Sequence, residues 1–83
     1  MYDSQAVDME IQEAQRHAAK INNGAYFNAR VAELAEIFKP QCASQEERGL
    51  LKAKLWSSLN SEGELSGQAT GAMGHIARVL SGN

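Results

Sequence analysis

Residues 25–38 read AYFNARVAELAEIF and carry the broadest apolar face in the chain. One line of this face repeats at steps of four, three and four residues, at Phe27, Val31, Leu34 and Phe38. This spacing places its members on one side of an α-helix. Tyr26 and Ile37 widen the face on one flank and Ala35 on the other, and Pro40 should end the helix. We therefore expect this helix to lie at the middle of the fold.

The segment before the central helix predicts a first helix from Asp3 or Ser4 to about Ile21. Its apolar residues form a heptad seam at Val7, Ile11, Ala14, Ala18 and Ile21. Acidic residues occupy its first half and basic residues its second half, which is the order that the helix dipole favours. Residues 22–24, NNG, tolerate positive φ, so the helix should stop there.

A third helix is expected after the proline. Ser44 and Glu47 have the spacing of a capping box, in which the serine bonds forward to the helix and the glutamate reaches back. The helix should continue to about residue 59, with a core line at Leu51, Leu55 and Leu59. Leu50 and Trp56 project away from that line.

Residues 61–80, SEGELSGQATGAMGHIARVL, predict a last helix with two opposed faces that starts at Ser61 or at Ser66. Its apolar stripe is Leu65, Ala69, Met73, Ile76 and Leu80. Glycines recur on the other side, at Gly63, Gly67, Gly71 and Gly74. Each interior glycine destabilises a helix by roughly 0.5–1 kcal/mol relative to alanine. The face is therefore either an exposed helix defect or a surface for close contact between two copies of the chain, and we favour the contact.

These patterns predict one all-α domain, a small bundle of three or four helices packed as antiparallel hairpins. With 83 residues, the chain has room for only a modest core. It contains no apolar run long enough to span a bilayer and no signal-peptide pattern at its start. Because Cys42 is the single cysteine, no intrachain disulfide is possible, and we expect a cytoplasmic protein.

Residues that could carry chemistry are sparse. His17 and His75 have no metal-ligand partners at useful spacing, and His17 is explained by a surface pair with Glu13. Cys42 lacks any flanking nucleophile motif. We therefore expect no metal, no cofactor and no enzymatic activity.

The residues that favour a binding function lie on the third helix. Trp56 follows Lys52 by one turn, so the lysine stem can cover the ring, and Leu50 adds apolar surface. The alternative for Trp56 is a place in the core of a small bundle. We expect a non-enzymatic accessory or inhibitory factor that binds another protein and forms a homodimer through the glycines. Small acidic helical chains, including those of bacterial viruses, often have this profile.

Two other functions stay open. Residues 31–38, VAELAEIF, resemble the first helix of many helix-turn-helix proteins, which implies DNA binding by the second and third helices. Arg48, Lys52 and Lys54 would then lie on the recognition helix. The net charge of −2 and the absence of a turn glycine before this helix argue against it. The third possibility is a nucleotide bound by the glycine face and Arg78.

Overall fold

The computed structural model describes residues 2–60 and 67–81 and confirms the predicted all-α bundle. Its four helices are α1 (Ser4–Lys20), α2 (Gly24–Phe38), α3 (Gln45–Asn60) and α4 (Gly67–Ser81). A short 3-10 turn, Lys39–Gln41, follows α2. Within the described ranges there is no β-strand. Each helix lies within a few residues of the segment that its apolar pattern predicts.

Helix α2 lies at the centre, as predicted, because it packs against each of the other three helices. It contributes the buried residues Phe27, Val31, Leu34, Ala35 and Phe38. The facing stripes of α1 and α3 are buried at Val7, Ile11, Ala14, Ala18, Leu51, Leu55 and Leu59. In α4 the predicted stripe residues Ala69, Ile76 and Leu80 are buried, whereas Met73 is half-buried and Ala72, which was not predicted, is buried beside them.

The helix ends follow local side-chain hydrogen bonds. The carboxylate of Asp3 accepts from the backbone N–H groups of residues 5 and 6 at 3.0 and 3.3 Å, and Asn23 caps α2 in the same way. Asn22 adopts the left-handed conformation, with φ of 53°, that ends α1. At α3, the Ser44 hydroxyl accepts from the Glu47 N–H at 3.2 Å. The Glu47 carboxylate accepts from the Ala43 N–H at 2.7 Å, one residue before the usual capping-box partner.

The structure differs from the sequence-based expectations at three places. Ile37 was expected to widen the core face of α2, but it is 45% exposed, and Ile21 is exposed because α1 ends one residue before it. After Phe38 the chain continues as a 3-10 turn, in which proline needs no N–H donor. Both predicted starts of the last helix, Ser61 and Ser66, lie outside the described residues.

Candidate functional site

A cleft of about 360 Å³ lies where the first turns of α3 meet the end of α4. Four lining residues recur at steps of three, one and three along α3: Gln45, Arg48, Gly49 and Lys52. That spacing places them on one flank of the helix, beside the leucine line that faces the core. The remaining lining residues are Lys39 from the 3-10 turn and Leu80 and Ser81 from α4. We call this feature the basic cleft.

The basic cleft brings together Lys39, Arg48 and Lys52 without an acidic residue in its lining. Among the described residues, no carboxylate lies within ion-pair distance of any of the three. By contrast, Lys54, only two residues beyond Lys52, donates to Asp8 of α1 at 2.7 Å. The four basic residues between positions 39 and 54 are therefore divided between one neutralised lysine and three cations that face the cleft.

Two other cations are also held by carboxylates. Arg30 of α2 donates to Glu10 of α1 at 3.0 Å and to Glu33 on its own helix. Burial acts to lower the pKa of Arg30, but these hydrogen bonds outweigh burial and raise it. Arg16 pairs with Glu13 at 3.1 Å. The acidic half of α1 is thus largely occupied by intrachain ion pairs.

Charge pairing also separates the basic cleft from two other surface grooves. A groove of about 460 Å³ between α1 and α3 is lined by Asp8 and Lys54, which bind each other. A groove of about 180 Å³ between α1 and α2 is lined by Glu10 and Arg30, which are likewise paired. Of these three concave surfaces, the basic cleft is the one whose charged residues have no ion-pair partner in the described part of the chain.

Trp56 borders the basic cleft through Lys52. The Lys52 ammonium lies 5.0 Å from the centroid of the Trp56 ring, within the range of a cation–π contact. The prediction that Lys52 covers the ring is therefore confirmed. Trp56 is partly buried and packs against the core, and its indole N–H has no acceptor within the described part of the chain.

The residues singled out from the sequence do not all share one surface. Leu50 is 55% exposed, but it lies six positions before Trp56, which corresponds to an angle of about 120° around the helix. Lys54 is displaced from Arg48 by the same angle. The structure thus brings Arg48, Lys52 and Trp56 together on one flank of α3 and leaves Leu50 and Lys54 on other faces.

Two glycines of α4 lie on its exposed side. Apart from the backbone of their own helix, a Cβ at Gly71 or Gly74 would meet nothing within 4 Å. No contact inside the described chain therefore requires glycine at either position, and the same is true of Gly49 in the basic cleft. Gly67 is the first residue of α4, and Gly63 lies outside the described residues. Self-association through these glycines stays a prediction.

The histidines contact side chains of their own chain. The predicted pair between His17 and Glu13 is not formed, because the carboxylate binds an arginine and the imidazole packs against Tyr26 with ring centroids 4.8 Å apart. His75 of α4 lies 3.4 Å from the Glu36 carboxylate of α2. Nowhere in residues 2–60 and 67–81 do three His, Cys, Asp or Glu side chains come together to hold a metal ion.

Cys42 carries the single thiol of the chain, and its surroundings make this thiol a weak nucleophile. Burial, with a contribution from Glu47, raises the pKa of the Cys42 thiol. Its Sγ lies 3.7 Å from the Phe38 carbonyl oxygen, to which the thiol donates. A raised pKa keeps the sulfur protonated at neutral pH, whereas the thiolate is the reactive form. Burial likewise raises the pKa of Tyr2, whose enclosed hydroxyl has no hydrogen-bond partner among the described residues.

Sequence reasoning identified Arg48 and Lys52 as binding candidates but missed Lys39 and the α4 residues Leu80 and Ser81. The spacing of the four α3 residues was visible in the sequence and could have indicated a shared flank. The closing of the cleft by α4 had no local signal, because it depends on how the two helices pack.

Comparison with known proteins assigns the chain to no family. No protein-family model, curated protein or solved structure matches it. Of the helices described, none is both long and apolar enough to cross a membrane. The case for a function therefore depends on the geometry of the basic cleft and its surroundings.

Proposed function

We propose that the chain is a small non-enzymatic protein that acts as an accessory or inhibitory factor by binding another protein. Its binding surface is the basic cleft together with the adjoining edge of Trp56. One observation carries the proposal: Lys39, Arg48 and Lys52 converge on a concave surface without a carboxylate from the described residues. Cations held close together repel one another, so this arrangement favours an anionic group from a partner.

The types of residue at this surface suit a protein interface. Arginine and tryptophan are enriched among the residues that contribute most to protein–protein affinity. A partner that contacts Lys52 also approaches the half-buried Trp56 ring beneath it, so one contact combines charge with apolar burial. The protonated thiol of Cys42 and the intrachain contacts of both histidines support a binding role rather than a catalytic one.

The test is capture of partners from the source cells on immobilised full-length chain. We expect the Arg48→Glu/Lys52→Glu double variant to lose a specific partner that the wild type retains. Lys20→Glu is the control for a charge reversal, because Lys20 is exposed at the end of α1 that is remote from the basic cleft. Retention of every partner by the cleft variant, or equal loss with Lys20→Glu, would contradict the proposal. Circular dichroism of each variant separates lost binding from lost fold.

The proposal includes self-association through the outer face of α4. Gly71 and Gly74 are exposed there, and the intrachain packing does not need them. Bare backbone allows two helices to approach closely and gain dispersion contacts, which would offset the weak helix propensity of glycine. Arg78 is exposed on the same side, so a nucleotide remains the third candidate ligand for this face.

DNA binding is kept as the second candidate because Arg48 and Lys52, two cations of the expected recognition helix, are unpaired in the described chain. The third, Lys54, is held by Asp8. With Lys39 the surface offers three cations, fewer than the roughly 6–10 phosphate contacts of a typical salt-dependent DNA-binding protein. This count supports a protein partner over duplex DNA.

A further inference from the structure

We infer that the basic cleft receives a carboxylate-rich segment of the partner protein, in which two or three Asp or Glu side chains follow closely in sequence. The inference rests on the proposed function and names the chemistry of the partner.

Charge pairing differs between the carboxylates of the described residues and the cations of the basic cleft. Most carboxylates of the described residues are engaged: Asp8, Glu10, Glu13, Glu33 and Glu36 each face a basic side chain, and Asp3 and Glu47 cap helices. The three cations of the basic cleft have no such partner within the described residues. An anionic group of another molecule can therefore supply the complementary charge.

The volume of the basic cleft limits the size of the segment that it can receive. At about 360 Å³ the basic cleft lies near the lower limit of ligand pockets, roughly 300–1,000 Å³, so it admits a short cluster of side chains. Gly49 leaves its wall on α3 without a side chain, and a Cβ there would meet nothing within 4 Å. Leu80 lines the basic cleft but is only 4% exposed, so it offers a ligand little apolar surface.

The number of cations in the basic cleft distinguishes an acidic peptide from a nucleic acid as its ligand. Three phosphate contacts would give a salt dependence of binding with a slope of only about −2.7, too shallow for tight binding to duplex DNA at physiological salt. The guanidinium of Arg48 can instead hold one carboxylate through two parallel hydrogen bonds, while Lys39 and Lys52 act as point charges on its neighbours. The site therefore favours a short run of carboxylates.

The experiment uses the full chain and a fluorescein-labelled hexaglutamate peptide, with binding measured by fluorescence anisotropy at about 0.15 M ionic strength. Arg48→Glu should weaken binding by about tenfold or more, because it removes the charge-assisted hydrogen bonds of the guanidinium. Lys20→Glu, with the same change in net charge, should bind as the wild type does. Trp56 is the single tryptophan, so displacement of Lys52 from its ring should also change the intrinsic fluorescence.

Several outcomes would overturn the inference. These are no binding of hexaglutamate, equal binding of hexaglutamine, an equal loss in Lys20→Glu, displacement of the peptide by inorganic phosphate alone, or tighter binding of a short DNA duplex. If the peptide fails but partner capture still depends on Arg48 and Lys52, the inference is wrong and the proposed function stands. If partner capture also ignores these residues, both are wrong.

Discussion

Replacement of Gly71 and Gly74 by alanine should stabilise the chain. Each change adds one methyl group at a position where a Cβ meets nothing within 4 Å, and neither glycine has a positive φ. Alanine therefore introduces no clash and no backbone strain, and the remaining effect is helix propensity. At roughly 0.5–1 kcal/mol per site, the double variant should gain about 1–2 kcal/mol in free energy of unfolding.

Thermal and urea unfolding, followed by circular dichroism in dilute solution, measure this gain. In a domain of this size, 1 kcal/mol shifts Tm by about 4–8 °C, so the double variant should melt roughly 4–16 °C higher than the wild type. Gly49→Ala is the matched control on α3, since its Cβ also meets open space, and it should give the single-site gain. A lower Tm for the α4 double variant beside a higher Tm for Gly49→Ala would refute the reasoning.

The same face carries the proposed dimer, and Gly71→Leu tests it at higher concentration. If glycine backbones form the interface, the bulky side chain should abolish the dimer or unfold the chain, and light scattering across a concentration series measures the change in mass. A wild type that stays monomeric, together with a Gly71→Leu variant that melts higher, would mean that these glycines are exposed helix defects and not an interface.

Duplex DNA should bind weakly and without sequence preference at about 0.15 M salt, because Asp8 holds Lys54 and the basic cleft offers only Lys39, Arg48 and Lys52. A tight, sequence-dependent mobility shift that disappears in Arg48→Ala or Lys52→Ala would place DNA binding first. The Cys42 thiol, whose pKa burial raises, should react with iodoacetamide more slowly in the native chain than in urea at neutral pH. The sign of the same shift predicts that its contribution to stability is present below the pKa of the unfolded thiol and is lost as pH rises through the folded value. Equal alkylation rates in the native chain and in urea would contradict the expected low reactivity of the native thiol.

Local sequence signals predicted the starts of α1, α2 and α3 to within one or two residues, but not the 3-10 turn after α2, and both expected starts of the last helix lie outside the described residues. Asp3, Asn23 and Ser44 each cap a helix at or next to the expected start, because a cap is a contact within one helical turn. The apolar spacing of the central segment also predicted that α2 packs against every other helix, since the widest face buries the most surface. Ile37 was wrongly assigned to the core face, because periodicity alone does not show which flank of a helix lacks a packing neighbour.

The candidate site could be predicted only in part. Trp56 and Lys52 were correctly placed together because they are one turn apart on one helix. Leu50 was grouped with them on hydrophobicity, although its angle on the helix places it on another face.

What the sequence by itself determined is the set of helices, the places where α1 to α3 begin and most of the buried faces, all of which depend on residues within a few positions of each other. The tertiary structure alone decided which charges of the described residues lack an ion-pair partner among themselves. Lys54 is neutralised by Asp8, 46 residues away, while Lys39, Arg48 and Lys52 meet at the end of α4. The physical reason is that an apolar stripe specifies which side of a helix is buried. Which helix packs against that stripe, and which flanking charges come together, depends on how all the stripes pack at once.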